Sequence, residues 1–216
     1  MPAPAISEAL ARLDELTRRL RVECPWDREQ DERSIVPHTV EEAYELADAA
    51  NAGDDAKLLD ELGDVLFQVH FLALLLEERG AGDLAAVAEH CRQKLIRRHP
   101  HVFGDVEADS ASEVLRNWDQ IKAGEAGREP GVFGEVPENL PALLYARKLQ
   151  RRAASAGLLE RAPDPDPARR DADFDEIGER LFAIVDEARR LRVDPELALR
   201  AAAKRFRDAT PPQGDT

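Results

Sequence analysis

Glu42 and Glu45 stand three residues apart, as do Glu61 and Asp64, in two segments that both read as helix. Residues at i and i+3 of a helix lie one turn apart on the same face, so each pair aims two carboxylates in one direction. Wound at about 100° per residue, the segment from Val40 to Ala50 puts Glu41, Glu42, Glu45 and Asp48 on one arc, with Val40, Ala43 and Ala47 opposite. Two such pairs on consecutive helices joined by a short loop converge across an antiparallel helix pair. A solvated acidic face is the ordinary fate of a pair like Glu42 and Glu45. Glu61 and Asp64 fit that fate less well, because beyond Asp64 the helix is apolar nearly all round. Carboxylates at the mouth of a buried helix repel one another and lose hydration unless cations compensate. Donors that are all oxygen suit hard cations, Mg2+ first and Mn2+ as its substitute. A di-iron bundle would want Glu-x-x-His on two helices, and neither acidic pair offers one. His70, roughly opposite Glu61 on the wheel, reads as a packed helix residue.

A second cluster is basic: Lys94, Arg97, Arg98, His99 and His101. Cations at the end of a helix complement its macrodipole, which is the plain reading. In a chain of net charge −14 the same patch also reads as an anion-binding surface, since arginine forks match phosphate oxygens. Trp118 and Lys122 lie one helical turn apart, offering a ring to stack on a base and an ammonium for a phosphate. A tryptophan is as often a core anchor as a base platform.

Helices must hold these groups. Ile6, Leu10, Leu13, Leu16 and Leu20 predict an amphipathic helix over 6–20, ending before Cys24-Pro25-Trp26-Asp27. A loop is expected to run to Pro37, with Thr39 as N-cap and Glu42 completing a capping box. Further helices are predicted over 40–50, 56–79, 83–98 and 112–122, the last two separated by the breaker Pro100. Residues 124–138, rich in glycine, proline and glutamate, read as a linker. Leu140 onward is helical again, broken by the proline-rich run at 163–167, with helices over 174–191 and 195–208. An internal echo links the two halves: Asp60 to Phe67 resembles Asp175 to Phe182, and Lys94 to Arg97 resembles Lys204 to Arg207. The second copy has no match for the acidic helix at 41–45. No segment reads as a strand.

With 34% charged and 43% apolar residues in periodic blocks, the composition fits a globular chain of amphipathic helices. The negative charge argues against nucleic acid or an anionic membrane as the main partner. Two cysteines, Cys24 and Cys91, make no disulfide framework and no metal-ligand spacing. The apolar run from Val65 to Leu76 is too short to span a bilayer. No secretory leader is evident, which makes the cytoplasm the expected compartment.

Taken in order, Cys24-Pro25-Trp26-Asp27-Arg28-Glu29-Gln30, Glu41-Glu42-Ala43-Tyr44-Glu45, Glu61-Leu62-Gly63-Asp64, the run from Lys94 to Gly104, and Trp118-Asp119-Gln120-Ile121-Lys122 resemble the MazG family of all-α nucleoside triphosphate pyrophosphohydrolases. The match is strong over about residues 6–122. The resemblance implies an all-α helical bundle completed by homodimerisation. It also implies hydrolysis of NTPs or dNTPs to the monophosphate and pyrophosphate by attack of water at the α-phosphorus, with broad base specificity. Carried over by position, Glu42, Glu45, Glu61 and Asp64 are the expected Mg2+ ligands, and Glu41 is a ligand or supports one. Glu41 or Glu42 is the expected proton acceptor, and Lys94, Arg97, Arg98, Trp118 and Lys122 are expected to contact the substrate. The chain then divides into a catalytic module (1–123), a linker (124–138), a degenerate second module (139–209) and a disordered tail (210–216). Glu179 stands in that module where the family has Asp, and no Trp-x-x-x-Lys segment follows, so only the first module is expected to be catalytic. The alternatives are a narrower pyrophosphatase, acting for example on dUTP or phosphoribosyl-ATP, and a non-catalytic helical dimerisation or regulatory protein that keeps the fold.

Overall fold

The computed structural model describes residues 3–125, 131–160 and 166–210; among these every regular element is a helix. The first compact unit runs to Gln93 and the second begins at Lys94. That division falls inside a helix, whereas the sequence motifs place the end of the first module at 123.

In the first unit the leucine-striped segment forms α1 (Ala3–Glu23), followed by the short α2 (Pro25–Glu29), and then by α3 (Glu32–Ala52) and α4 (Asp55–Glu78). α5 (Leu84–Arg98) crosses into the second unit. α3 starts at Glu32, not at Val40 as expected from Pro37. Asp31 is its N-cap, accepting from the backbone N–H of Ser34, while the Ser34 hydroxyl accepts from the Asp31 N–H. Pro37 sits inside this helix, where its missing N–H removes one bond near the N-terminus. Thr39 is accordingly no cap; its hydroxyl donates to the Ile35 carbonyl oxygen at 3.3 Å.

α3 and α4 form the central antiparallel pair of this unit. Gly53 makes the turn between them in the left-handed region, at φ 66°, a conformation that glycine adopts without strain. Asp54 then caps α4 by accepting from Ala56 and Lys57 N–H. Ile35 from α3 packs with Phe71 and Leu75 of α4, flanked by Phe67 and Leu72. α1 lies along the C-terminal half of α4, held by Arg18 on Glu77 and Arg21 on Glu78.

The second unit contains α6 (Pro100–Phe103), α7 (Ala111–Ala123), α8 (Ala142–Ser155), a 3-10 turn (Pro167–Arg169), α9 (Arg170–Leu191) and α10 (Pro195–Ala209). α8 packs on α10 around Tyr145, Leu149, Ala153 and Ala203. Glu196 on α10 accepts the Ala142 N–H at 2.8 and 3.0 Å, capping α8 from outside its own segment. From residue 131 on, the stretch read as linker contributes to this core: Phe133 and Val136 are both buried in it, and Phe133 meets Phe206 edge-on. Glycine and proline dominate its composition and mask two apolar anchors. The expected tail lies outside the described residues from 211 onward, as do 161–165 of the proline-rich break.

Candidate metal centre and nucleotide-contact residues

The α3–α4 turn sets which carboxylates meet. Glu42 and Glu45 on α3 face Glu61 on α4, and one oxygen from each lies within 4.8 Å of the others. Their burial is graded: Glu45 is exposed, Glu42 half-buried, and Glu61 only 5% exposed. The Glu61 Oε2 atom is buried and has no hydrogen-bond partner. A buried carboxylate oxygen without a donor is costly and calls for a compensating group. Loss of hydration, followed by the charges of Asp64, Glu45, Glu61 and Glu41, pushes the Glu42 carboxyl above its ordinary range. Glu61 is raised as well, by burial first and by Glu45 next, with Lys57 opposing. Asp64 is exposed and acts on both glutamates as a neighbouring charge, outside the three-oxygen group. Three or four converging oxygens of this kind match the demands of a hard divalent cation.

Glu41 turns to another partner. Its carboxylate accepts from His38 Nδ1 at 3.2 Å, and the His38 ring meets Trp26 at 5.8 Å. Of the five residues with an acidic site role in the sequence reading, the structure therefore draws Glu42, Glu45 and Glu61 together, keeps Asp64 beside them, and pairs Glu41 with His38.

The basic residues lie in the second unit. Arg98 is 5% exposed and both arms of its fork are engaged by Glu125, Nε to Oε1 at 3.0 Å and Nη2 to Oε2 at 2.5 Å. Its guanidinium lies 5.2 Å from the centre of the Trp118 ring. His99 meets that ring edge-on at 5.0 Å and is itself anchored on the Leu95 carbonyl oxygen. Arg97 is exposed and only 3.7 Å from Glu125; Lys94 and Lys122 are half-buried. α7, which carries Trp118 and Lys122, is pinned to α8 by Asp119, which accepts from Ser155 and pairs with Arg151. Glu125 escaped the sequence reading because it lies in the glycine-rich stretch. Its one signal was an acidic residue just past a helix that carries Trp118 and Lys122.

Glu176 and Glu179, the counterparts of Glu61 and Asp64 in the second copy, are exposed on α9, a helix that buries none of its residues.

Comparison with known proteins gives consistent relationships. The family model for the MazG nucleotide pyrophosphohydrolase domain matches residues 30–103. A nucleoside triphosphate pyrophosphohydrolase of Escherichia coli K12 is 38% identical over 85% of this chain and 77% of that protein. A nucleoside triphosphate pyrophosphohydrolase/pyrophosphatase MazG of Thermotoga maritima is 40% identical over 85% of this chain and 76% of its own length. Among solved structures, a mazG-related protein from Thermotoga maritima overlaps 52% of this chain and 97% of that chain at 26% identity, with a TM-score of 0.45.

Proposed function

Because the chain belongs to the MazG nucleotide pyrophosphohydrolase family, we propose that it hydrolyses nucleoside and deoxynucleoside triphosphates to the monophosphate and pyrophosphate. The observation that carries this reading is the buried, unpartnered Oε2 of Glu61 beside the oxygens of Glu42 and Glu45. Glu42, Glu45 and Glu61, with Asp64 closing the set, would hold Mg2+, and Mn2+ in its place. When bound, the cation supplies charge neutralisation of the triphosphate and lowers the pKa of the attacking water.

The chain's own residues do the rest. Glu42, where coordination leaves one of its oxygens free, would accept a proton from the water as the water's oxygen bonds to the α-phosphorus. Glu41 is the second candidate for that role. The bond between the α-phosphorus and the bridging oxygen breaks, and pyrophosphate departs with the bond pair. Lys94, Arg97 and Lys122 stabilise the charge that gathers on it. Trp118 stacks on the base, and because every base has a π face such a platform favours broad specificity. Arg98, held by Glu125, serves beneath the Trp118 ring. Homodimerisation completes the bundle, and the first module is the catalytic one.

Product analysis tests the reading. Mg2+-dependent release of NMP and pyrophosphate is expected, with label from 18O-water found in the NMP; NDP plus phosphate would refute the reaction class. Glu61→Gln should abolish turnover, and near-normal activity would remove Glu61 from the metal site.

A further inference from the structure

Between the carboxylates and the apolar core, α3 and α4 meet in one more polar layer. Positions at equal or nearly equal distance from the Gly53 turn pair Glu45 with Glu61, Glu42 with Asp64, Thr39 with Gln68, and Ile35 with Phe71. The contacts follow this register: the Thr39 hydroxyl lies 3.5 Å from Gln68 Oε1, and Ile35 packs with Phe71. Gln68 is 7% exposed, and Thr39 is its one hydrogen-bond partner among the described residues. That contact occupies the amide oxygen and leaves both Nε2 hydrogens without an acceptor. A side chain so deeply enclosed ordinarily has its donors matched.

An acceptor stands one turn away. Asp64 precedes Gln68 by four residues, on the same face of α4. Long side chains on a helix lean toward its N-terminus, so a residue at 68 reaches back over the turn that carries 64. Asp64 is exposed, accepts no hydrogen bond among the described residues, and stands outside the three-oxygen group of Glu42, Glu45 and Glu61. We propose that Gln68 is the positioning residue for Asp64. One Nε2–H donates to the Asp64 carboxylate and holds it toward the other three as the cation binds. The inference rests on the metal-site reading and adds the group that orients its fourth ligand.

Thr39 fixes which end of the amide does this. Its single hydroxyl hydrogen has two acceptors in reach, the Ile35 carbonyl oxygen at 3.3 Å and Gln68 Oε1 at 3.5 Å. With Oε1 on Thr39, the donor end of the amide is the one left for Asp64. Turned over, the amide would set its oxygen against a carboxylate, acceptor against acceptor. An uncharged donor suits the position. A lysine there would neutralise a charge that the cation needs, and a leucine would orient nothing.

Mn2+ binding to the full chain without nucleotide, read from the EPR signal of the free ion, tests the assignment. Gln68→Met keeps the side chain's length and removes its donors. It should weaken Mn2+ binding by about tenfold or more, the scale on which groups that orient metal ligands act. Unchanged affinity would overturn the proposal. The Asp64→Ala background separates positioning from general damage: there the effect of Gln68→Met should vanish, and an equal loss in both backgrounds would overturn action through Asp64. If binding to Asp64→Ala is too weak to measure, the Gln68 side-chain amide signal decides. In 15N-labelled protein that signal, identified by its loss in Gln68→Met, should move downfield when Mg2+ is added; a signal that stays in place would overturn the hydrogen bond. Asp64→Ala binding Mn2+ as tightly as the unaltered chain would instead sink the metal-site reading on which the inference stands.

Discussion

Replacing Glu125 by alanine should destabilise the second unit well beyond the cost of a surface ion pair. Arg98 is 5% exposed and spends two N–H donors on Glu125, whose side chain is 19% exposed. Removing one partner of a fully buried pair costs about 3–5 kcal/mol, because a charge is left without compensation. Water reaching the guanidinium through the space vacated by Glu125 recovers part of this, which brings the expected loss to about 2–3 kcal/mol. Unfolding in urea reads it directly, with Trp26→Phe so that fluorescence reports Trp118, the ring that Arg98 supports. The same substitution should weaken nucleotide affinity more than turnover, because the base platform loosens while the carboxylate cluster is untouched. A loss below about 0.5 kcal/mol, the range of exposed pairs, would refute the claim that Arg98 is a buried charge dependent on Glu125.

Three further outcomes follow from other parts of the fold. The carboxyls of Glu42 and Glu61 are raised above their ordinary value of 4.5, so the folded chain binds these protons more tightly than the unfolded chain. Metal-free protein should therefore gain stability as pH falls from neutrality toward about 5, while a Glu42→Gln, Glu61→Gln double variant gains less; indistinguishable melting profiles would count against the cluster. Leu149 is fully buried between α8 and α10, and Leu149→Ala should cost about 2–5 kcal/mol in urea unfolding followed by far-UV circular dichroism. Gly53→Ala should cost about 1 kcal/mol by the same measurement, entirely from the left-handed backbone, because its Cβ would meet nothing within 4 Å.

The all-helical architecture was legible because the apolar residues repeat at helical spacing over most of the chain, and α4, α5 and α7 end within a residue of their expected bounds. The start of α3 was not. Pro37 is a strong local breaker, and the capping signal at Asp31 and Ser34 lies in a stretch that carries little apolar periodicity. The acidic pairs were legible as spacing, since i and i+3 fix a shared face whatever the tertiary structure. Their unequal burial was not, because it depends on how α3 and α4 lie across one another: Glu61 is enclosed while Asp64 remains exposed. Arg98 was legible only as a charge. Its burial depends on Trp118 and Glu125, both distant in the chain, and no local pattern encodes such a meeting.

Phe133 and Val136 have a consequence for how the chain comes apart. They precede α8, yet their side chains lie in the same cluster as Tyr145, Leu149 and Ala203. Cleavage of the peptide bond between Glu138 and Asn139 would thus produce two fragments that share one hydrophobic core. The N-terminal fragment would carry away two of its anchors, and the C-terminal fragment would keep the socket they fill. Such fragments are built to recognise each other, so that point of the chain suits complementation of a split protein better than the separation of two independent pieces.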